Sequence, residues 1–326
     1  MNPKSYMDIY QQHSADIEAE MTAAVERLGP SSTAVKNAVA KLLQHQKFTY
    51  PLQVLPMLVH AAETGAPEPA VPLSAVHILW WTSACYLDDL ADGEGTRVSG
   101  VLSEHEALLA SMITGHVLPL HVVRSQQVPE PVRGALTAEV VNCWIVATEG
   151  QLNDMSGDAD DATTDSTITV YRGKSGAPFG MISAMGAILA GADHERIQLW
   201  REFGDVFGIL WQLFNDQEDI LSGRNEDLRN GTVTYLLACA LEEASPRSRA
   251  HILNLHAASR NADGARAELT NVLLAPAVLR RYRKDLHKFR DEAHRILGRL
   301  GGDEAYVPVL RDLVDRSAQM LLLNSP

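Results

Sequence analysis

Positive charge is scarce in this sequence. Across 326 residues, 28 Lys and Arg stand against 41 Asp and Glu, a formal net charge of −13. That balance argues against nucleic acid as a partner, because a phosphate backbone needs a basic face. Cysteine is scarcer still: Cys85, Cys143 and Cys239 lie far apart, each in an apolar run. No CxxC pair or Cys/His cluster occurs, so neither a zinc site nor a disulfide framework is expected. Long apolar runs are missing as well. The most apolar stretch, Gly180 to Ala192 (GMISAMGAILAGA), falls well short of the roughly 20 residues of a membrane-spanning helix. The opening segment MNPKSYMDIYQQHSADIEAEM lacks the apolar core of a signal peptide. These absences point to a reduced, cytoplasmic, soluble protein with no membrane span.

Strand character is absent too. Period-two alternation is nowhere sustained, and apolar residues recur at three and four, the spacing of helices. With 46% apolar and 21% charged residues, the chain can bury a sizeable core. Breakers at Gly29-Pro30, Gly65 to Pro72, Val128 to Gly134 and Gly301-Gly302 divide it into about a dozen helices. None of these breaks is long enough for a flexible linker, so a single all-α domain over residues 1–326 is expected. The acidic loop Ser156 to Ser166 lacks the glycine and terminal glutamate of a calcium loop and reads as solvated. The late basic run from Arg280 to Arg299 reads as a solvated helix face.

Two carboxylate clusters carry the chemistry. Asp88-Asp89-Leu90-Ala91-Asp92 closes an apolar helix that includes Ile78-Leu79-Trp80-Trp81. Residues at i and i+4 share a helix face, so Asp88 and Asp92 point the same way, with Asp89 about 100° around. Asn215-Asp216-Gln217-Glu218-Asp219 repeats that spacing after a second apolar run, Phe207 to Phe214. Hard oxygen ligands of this kind select Mg²⁺ shared with a phosphate-bearing substrate. Two such helix ends facing each other would grip a diphosphate and draw off its charge as a C–O bond breaks.

Other segments, in order, bring these clusters into a resemblance. Gly150-Gln151-Leu152-Asn153-Asp154 is similar to a GQxxD motif, and Lys174-Ser175-Gly176-Ala177-Pro178-Phe179 to KTGxLF. Phe203-Gly204 through Gln212 resembles FGxxxGxxFQ, and Asp227 to Thr234 resembles DLxxGKxT. Over about residues 40 to 240 the chain resembles the trans-isoprenyl diphosphate synthase (polyprenyl synthetase) superfamily. The resemblance implies the all-α class I terpenoid synthase helical bundle and a homodimer. It implies Mg²⁺, three ions with bound diphosphate, on Asp88, Asp89, Asp92, Asn215 and Asp219. Asp88, Asp92 and Lys174 would be catalytic. Arg97 and Lys174 would contact the allylic diphosphate, and Gln212 would lie beside the second cluster.

The pattern breaks where such enzymes bind a second substrate, isopentenyl diphosphate. His45-Gln46-Lys47-Phe48-Thr49-Tyr50-Pro51 aligns with GGKRxRP, so both arginines are replaced by aromatics. Trp81 stands at the usual His or Gln, and Arg97-Val98-Ser99 keeps only the first arginine of RRG. One lysine among Phe, Tyr and Trp cannot hold a diphosphate. By the resemblance Thr232 also replaces a diphosphate-binding lysine, and Arg224 would supply the missing cation. The leading reading is therefore an isoprenyl-diphosphate-synthase-like terpene synthase: an allylic prenyl diphosphate is ionised and its carbocation cyclised or quenched. The alternative is a prenyltransferase acting on a non-isopentenyl acceptor, an aromatic small molecule or a peptide. A chain-elongating synthase or a regulatory subunit ranks lower. Trp81 would face the cation, as aromatic faces can. Ser83 and Ala84, small residues one turn before Asp88, would leave the tail channel open to fifteen or twenty carbons unless another residue such as Trp211 plugs it.

Overall fold

The computed structural model describes residues 3–46, 48–91 and 101–323. Asp92, Arg97 and the residues of the RRG-like stretch, together with Lys47, lie outside the described residues. Helix is the only regular structure among the described residues, as the periodicity requires. The longer helices are Tyr6–Glu26, Val71–Ala91, Glu130–Ser156, His194–Leu221 and Pro276–Leu300. Sixteen α-helices are present among the described residues, more than the breakers alone suggest. Part of the difference comes from two five-residue π-turns, Ile113–Val117 and Arg172–Gly176, which interrupt otherwise continuous helices. A π-turn inserts one residue into the ladder, and such insertions concentrate at functional sites.

Local chemistry sets the helix ends. Ser103 and Glu106 form a reciprocal capping box, Glu106 N–H donating to Ser103 Oγ at 3.3 Å and Ser103 N–H to Glu106 Oε2 at 2.9 Å. Gly65, at φ 79°, closes Leu55–Thr64 in the left-handed conformation that favours glycine. The Tyr86 hydroxyl donates to the Glu104 carbonyl at 3.0 Å and so ties the acidic end of Val71–Ala91 to the next helix.

The chain divides into two compact units. The first comprises Met1–Trp144, Gly180–Glu202 and Leu297–Leu313. Its core includes Leu55, Leu58, Leu73, Val76, Leu79 and Trp80, all sealed from solvent. The second comprises Ile145–Phe179, Phe203–Ile296 and Val314–Pro326, with Phe207, Leu210, Leu213, Leu237 and Tyr282 at its centre. Two segments, Glu68–Ala91 and Glu104–Val123, are long and apolar enough to cross a membrane by length and composition. In the first, 72% of the apolar window is buried within the protein, which is how a core helix behaves.

Candidate active site

In the second unit, glycine lets two helices touch at the lysine motif. A Cβ on Gly150 would come within 2.8 Å of Gly173 Cα, and one on Gly173 within 2.7 Å of Gly150 Cα. On a third helix, a Cβ on Gly208 would fall 2.2 Å from the Ser175 carbonyl. Backbone contacts this close fix the Arg172–Gly176 turn, and its Lys174 Nζ reaches Asp154 Oδ2 at 2.6 Å. The pair is mostly buried, so the ammonium is held in one place rather than swinging in water.

The acidic end of His194–Leu221 carries two buried carboxylates, Asp216 and Asp219. Asp216 is 3% exposed and turns inward, where Gln212 Nε2 donates to its Oδ1 at 3.0 Å and the Tyr171 hydroxyl donates to its Oδ2. Gln212 in turn accepts from Ser175 Oγ at 2.7 Å, which joins the acidic helix to the lysine turn. Asn215 is half-buried, and Asp219 lies one turn on along the same face. Asp219 accepts the backbone N–H groups of Glu226 and Asp227 at 3.0 and 3.3 Å. Arg224 Nε stands 3.8 Å from Asp219 Oδ1 and is about half exposed, so a cation does lie beside the cluster.

This end of the unit holds more negative charge than it neutralises. Burial pushes the Asp216 carboxyl up to about 7, and neighbouring Asp219 adds to the shift. Burial likewise raises Asp227 well above the carboxylate range, with Asp216 and Asp219 reinforcing it and Lys174 opposing it. Asp219 is also raised, again by burial first. Among the described residues, no three His, Cys, Asp or Glu side chains converge to hold a metal by themselves. The donor chemistry nevertheless fits Mg²⁺: hard oxygens, and crowded carboxylates that a divalent cation would relieve.

In the first unit, Asp88 and Asp89 are half-buried at the end of Val71–Ala91. Ser83 is fully buried, its Oγ donating to the Ser111 carbonyl at 2.9 Å. A Cβ on Gly115 would lie 2.4 Å from Ser83 Cβ, so Ser83 is packed against the Ile113–Val117 turn, whereas Ala84 is half-buried. The Gly115 carbonyl accepts from Trp144 Nε1 at 3.0 Å. Trp144 stacks on His116 at 4.1 Å and lies 4.5 Å from Trp80. Trp80 is therefore core. Trp81 is half-buried, with His77 set edge-on to it at 5.7 Å. Phe48 and Tyr50 are also half-buried. In the second unit Trp211 stacks on Phe214 at 5.4 Å.

Sequence reasoning singled out Lys174, Asn215, Asp219, Gln212 and Arg224, and the second unit places all five around the Asp216 network. It passed over Tyr171, whose partners Asp216 and Tyr235 lie 45 and 64 residues away and leave no local mark.

The all-helical fold is that of solved polyprenyl synthases. A polyprenyl synthase from Caulobacter crescentus CB15, solved with calcium and isoprenyl diphosphate, matches with a TM-score of 0.77 at 18% identity, over 96% of this chain and 97% of that one. The polyprenyl synthetase family model matches residues 66–273, and the chain belongs to that family. Its relatives include a short chain isoprenyl diphosphate synthase from Methanothermobacter thermautotrophicus, 26% identical over 62% of this chain and 65% of that protein. A geranylgeranyl diphosphate synthase from Sulfolobus acidocaldarius is 26% identical over 48% of this chain and 51% of that protein. The matched region thus spans less than two thirds of either relative.

Proposed function

We propose that the chain ionises an allylic prenyl diphosphate with Mg²⁺ and cyclises or quenches the resulting carbocation. One observation carries this reading. The oxygen clusters and Lys174 are kept, while aromatics occupy the positions that would bind isopentenyl diphosphate. Asp88, Asp89, Asp92, Asn215 and Asp219 would hold Mg²⁺, three ions with bound diphosphate. Mg²⁺ there supplies charge neutralisation for the departing diphosphate. Lys174, fixed by Asp154, presents its ammonium to the diphosphate oxygens, and Arg97 and Arg224 add positive charge. Gln212 steadies the acidic helix through Asp216. Phe48, Tyr50 and Trp81 offer ring faces to a cation and keep water away from it. Transfer of the prenyl group to an aromatic or peptide acceptor would use the same ionising set.

A second reading, chain elongation with isopentenyl diphosphate, is favoured by the names of both relatives. Diphosphate release decides whether the ionising reading stands. The purified chain is incubated with Mg²⁺ and ten-, fifteen- and twenty-carbon allylic diphosphates, and extractable products are identified. Release without co-substrate, abolished by EDTA and accompanied by hydrocarbon or alcohol, supports the lead. Release that requires isopentenyl diphosphate supports elongation, and release that requires an aromatic acceptor supports transfer.

The chain is read as one cytoplasmic polyprenyl synthetase-like domain over residues 1–326, acting as a homodimer. Ile145, Leu152 and Met155 on Glu130–Ser156 are 64%, 56% and 59% exposed and share a helix face. Leu109 and Met112 on Glu104–Met112 are 65% and 51% exposed. Apolar stripes of this kind are suited to a second copy.

A further inference from the structure

Tyr171 occupies a position that packing alone does not account for. It is 4% exposed and ends the Thr164–Tyr171 helix, three residues before Lys174. Its single hydroxyl proton goes to Asp216 Oδ2. The Tyr171 hydroxyl oxygen in turn accepts the backbone N–H of Tyr235 at 2.8 Å. Tyr235 is the first residue of the Tyr235–Glu243 helix, so this amide is one that the helix itself cannot satisfy. One oxygen atom therefore joins three elements: the lysine turn, the acidic end of His194–Leu221 and the start of a further helix.

Asp216 is held from its other side by Gln212, which Ser175 holds in turn. Both ends of the Ser175–Gln212–Asp216–Tyr171 chain return to the segment that carries Lys174. With Asp216 anchored inward, helix geometry sets the directions of its neighbours. Asn215 is rotated about 100° from it, and Asp219 follows on the Asn215 face. Fixing Asp216 thus sets how the helix face carrying Asn215 and Asp219 is turned relative to the lysine turn, while the Asp219 oxygens are held in addition by the Glu226 and Asp227 amides.

We propose that the Tyr171 hydroxyl is a positioning group that locks Asp216 and thereby orients Asn215 and Asp219 for a metal-held diphosphate. This rests on the functional reading above and adds to it a residue that touches neither substrate nor ion. Phenylalanine at 171 keeps the ring and its packing but strands both the Asp216 oxygen and the Tyr235 amide. Partners that orient metal ligands typically change metal affinity by 10–100-fold when removed.

The test is calorimetric titration of the full chain with Mg²⁺ in the presence of inorganic diphosphate, with helicity and melting followed in parallel. Tyr171→Phe should weaken Mg²⁺ binding by about tenfold while the chain remains helical. Should that variant fail to fold, Gln212→Leu, which frees Asp216 from the other side, should weaken binding by a similar factor. In turnover assays, Tyr171→Phe should also raise the Mg²⁺ concentration needed for half-maximal rate. A folded Tyr171→Phe variant with wild-type Mg²⁺ affinity would overturn the inference, even if its melting temperature falls. Wild type that binds no Mg²⁺ with diphosphate would overturn the functional reading itself, and this inference with it.

Discussion

Gly150 and Gly173 meet backbone to backbone: a Cβ on either would come within 2.8 Å of the other's Cα. That contact brings the GQxxD and lysine motifs together, and the 2.6 Å pair between Asp154 and Lys174 follows from it. Helix contact of this kind leaves no room for a methyl group. Gly150→Ala should cost about 1–3 kcal/mol by overpacking, seen as a lower denaturation midpoint at unchanged slope. Turnover should fall further than stability, because the residue displaced lies beside Lys174.

Asp88 is half-buried at the end of Val71–Ala91 and belongs to the first carboxylate cluster. Asp88→Ala, and likewise Asp92→Ala, should lower turnover by roughly a thousandfold. Stability should stay within about 1 kcal/mol of wild type. Retained activity in either purified variant would remove the first cluster from the metal assignment.

His77 gives a pH signature. Burial pushes its imidazole down to about 4 from the 6.5 of an exposed histidine. The unfolded chain therefore binds this proton at higher pH than the folded one. The stability linked to the neutral ring is complete above pH 6.5 and is lost as pH falls from 6.5 towards 4. The full effect is about 3 kcal/mol. His77→Phe keeps a ring against Trp81 and removes the proton site. Between pH 7 and 4.5, wild type should lose about 2 kcal/mol more than the variant in urea unfolding. Parallel curves for the two would show that His77 does not titrate in this range.

Tail length is tested at Ala84. Ser83 is taken up by its bond to the Ser111 carbonyl, which leaves half-buried Ala84 as the small residue one turn before Asp88 that is open to substitution. Ala84→Phe should shift preference from fifteen- and twenty-carbon substrates to the ten-carbon one, measured as the ratio of kcat/KM values. An unchanged ratio, with wild type already preferring short substrates, would place the channel elsewhere.

Much of this was legible in the residues. The 3.6-residue period declares an all-helical chain, and the i, i+4 carboxylates mark both acidic helix ends. The order of the motifs pointed to Lys174 and Gln212, whose side chains meet Asp154 and Asp216 in the structure. The two π-turns were not legible, because one inserted residue changes the ladder without a distinctive local sequence. Spacing also could not say which partners the buried Asp216 and Asp219 would find. Asn215 and Asp216 are adjacent, and only tertiary packing sends Asp216 to Tyr171. Ser83 and Ala84 look alike as small residues, yet the closeness of Gly115 commits one of them to a helix contact.

The central claim is that this chain ionises an allylic diphosphate without joining it to isopentenyl diphosphate. Radiolabelled isopentenyl diphosphate, supplied with Mg²⁺ and an unlabelled allylic partner, tests it most directly. The account predicts that diphosphate is released while the label stays in unreacted isopentenyl diphosphate. Label entering a longer prenyl diphosphate at the rate of diphosphate release would contradict it.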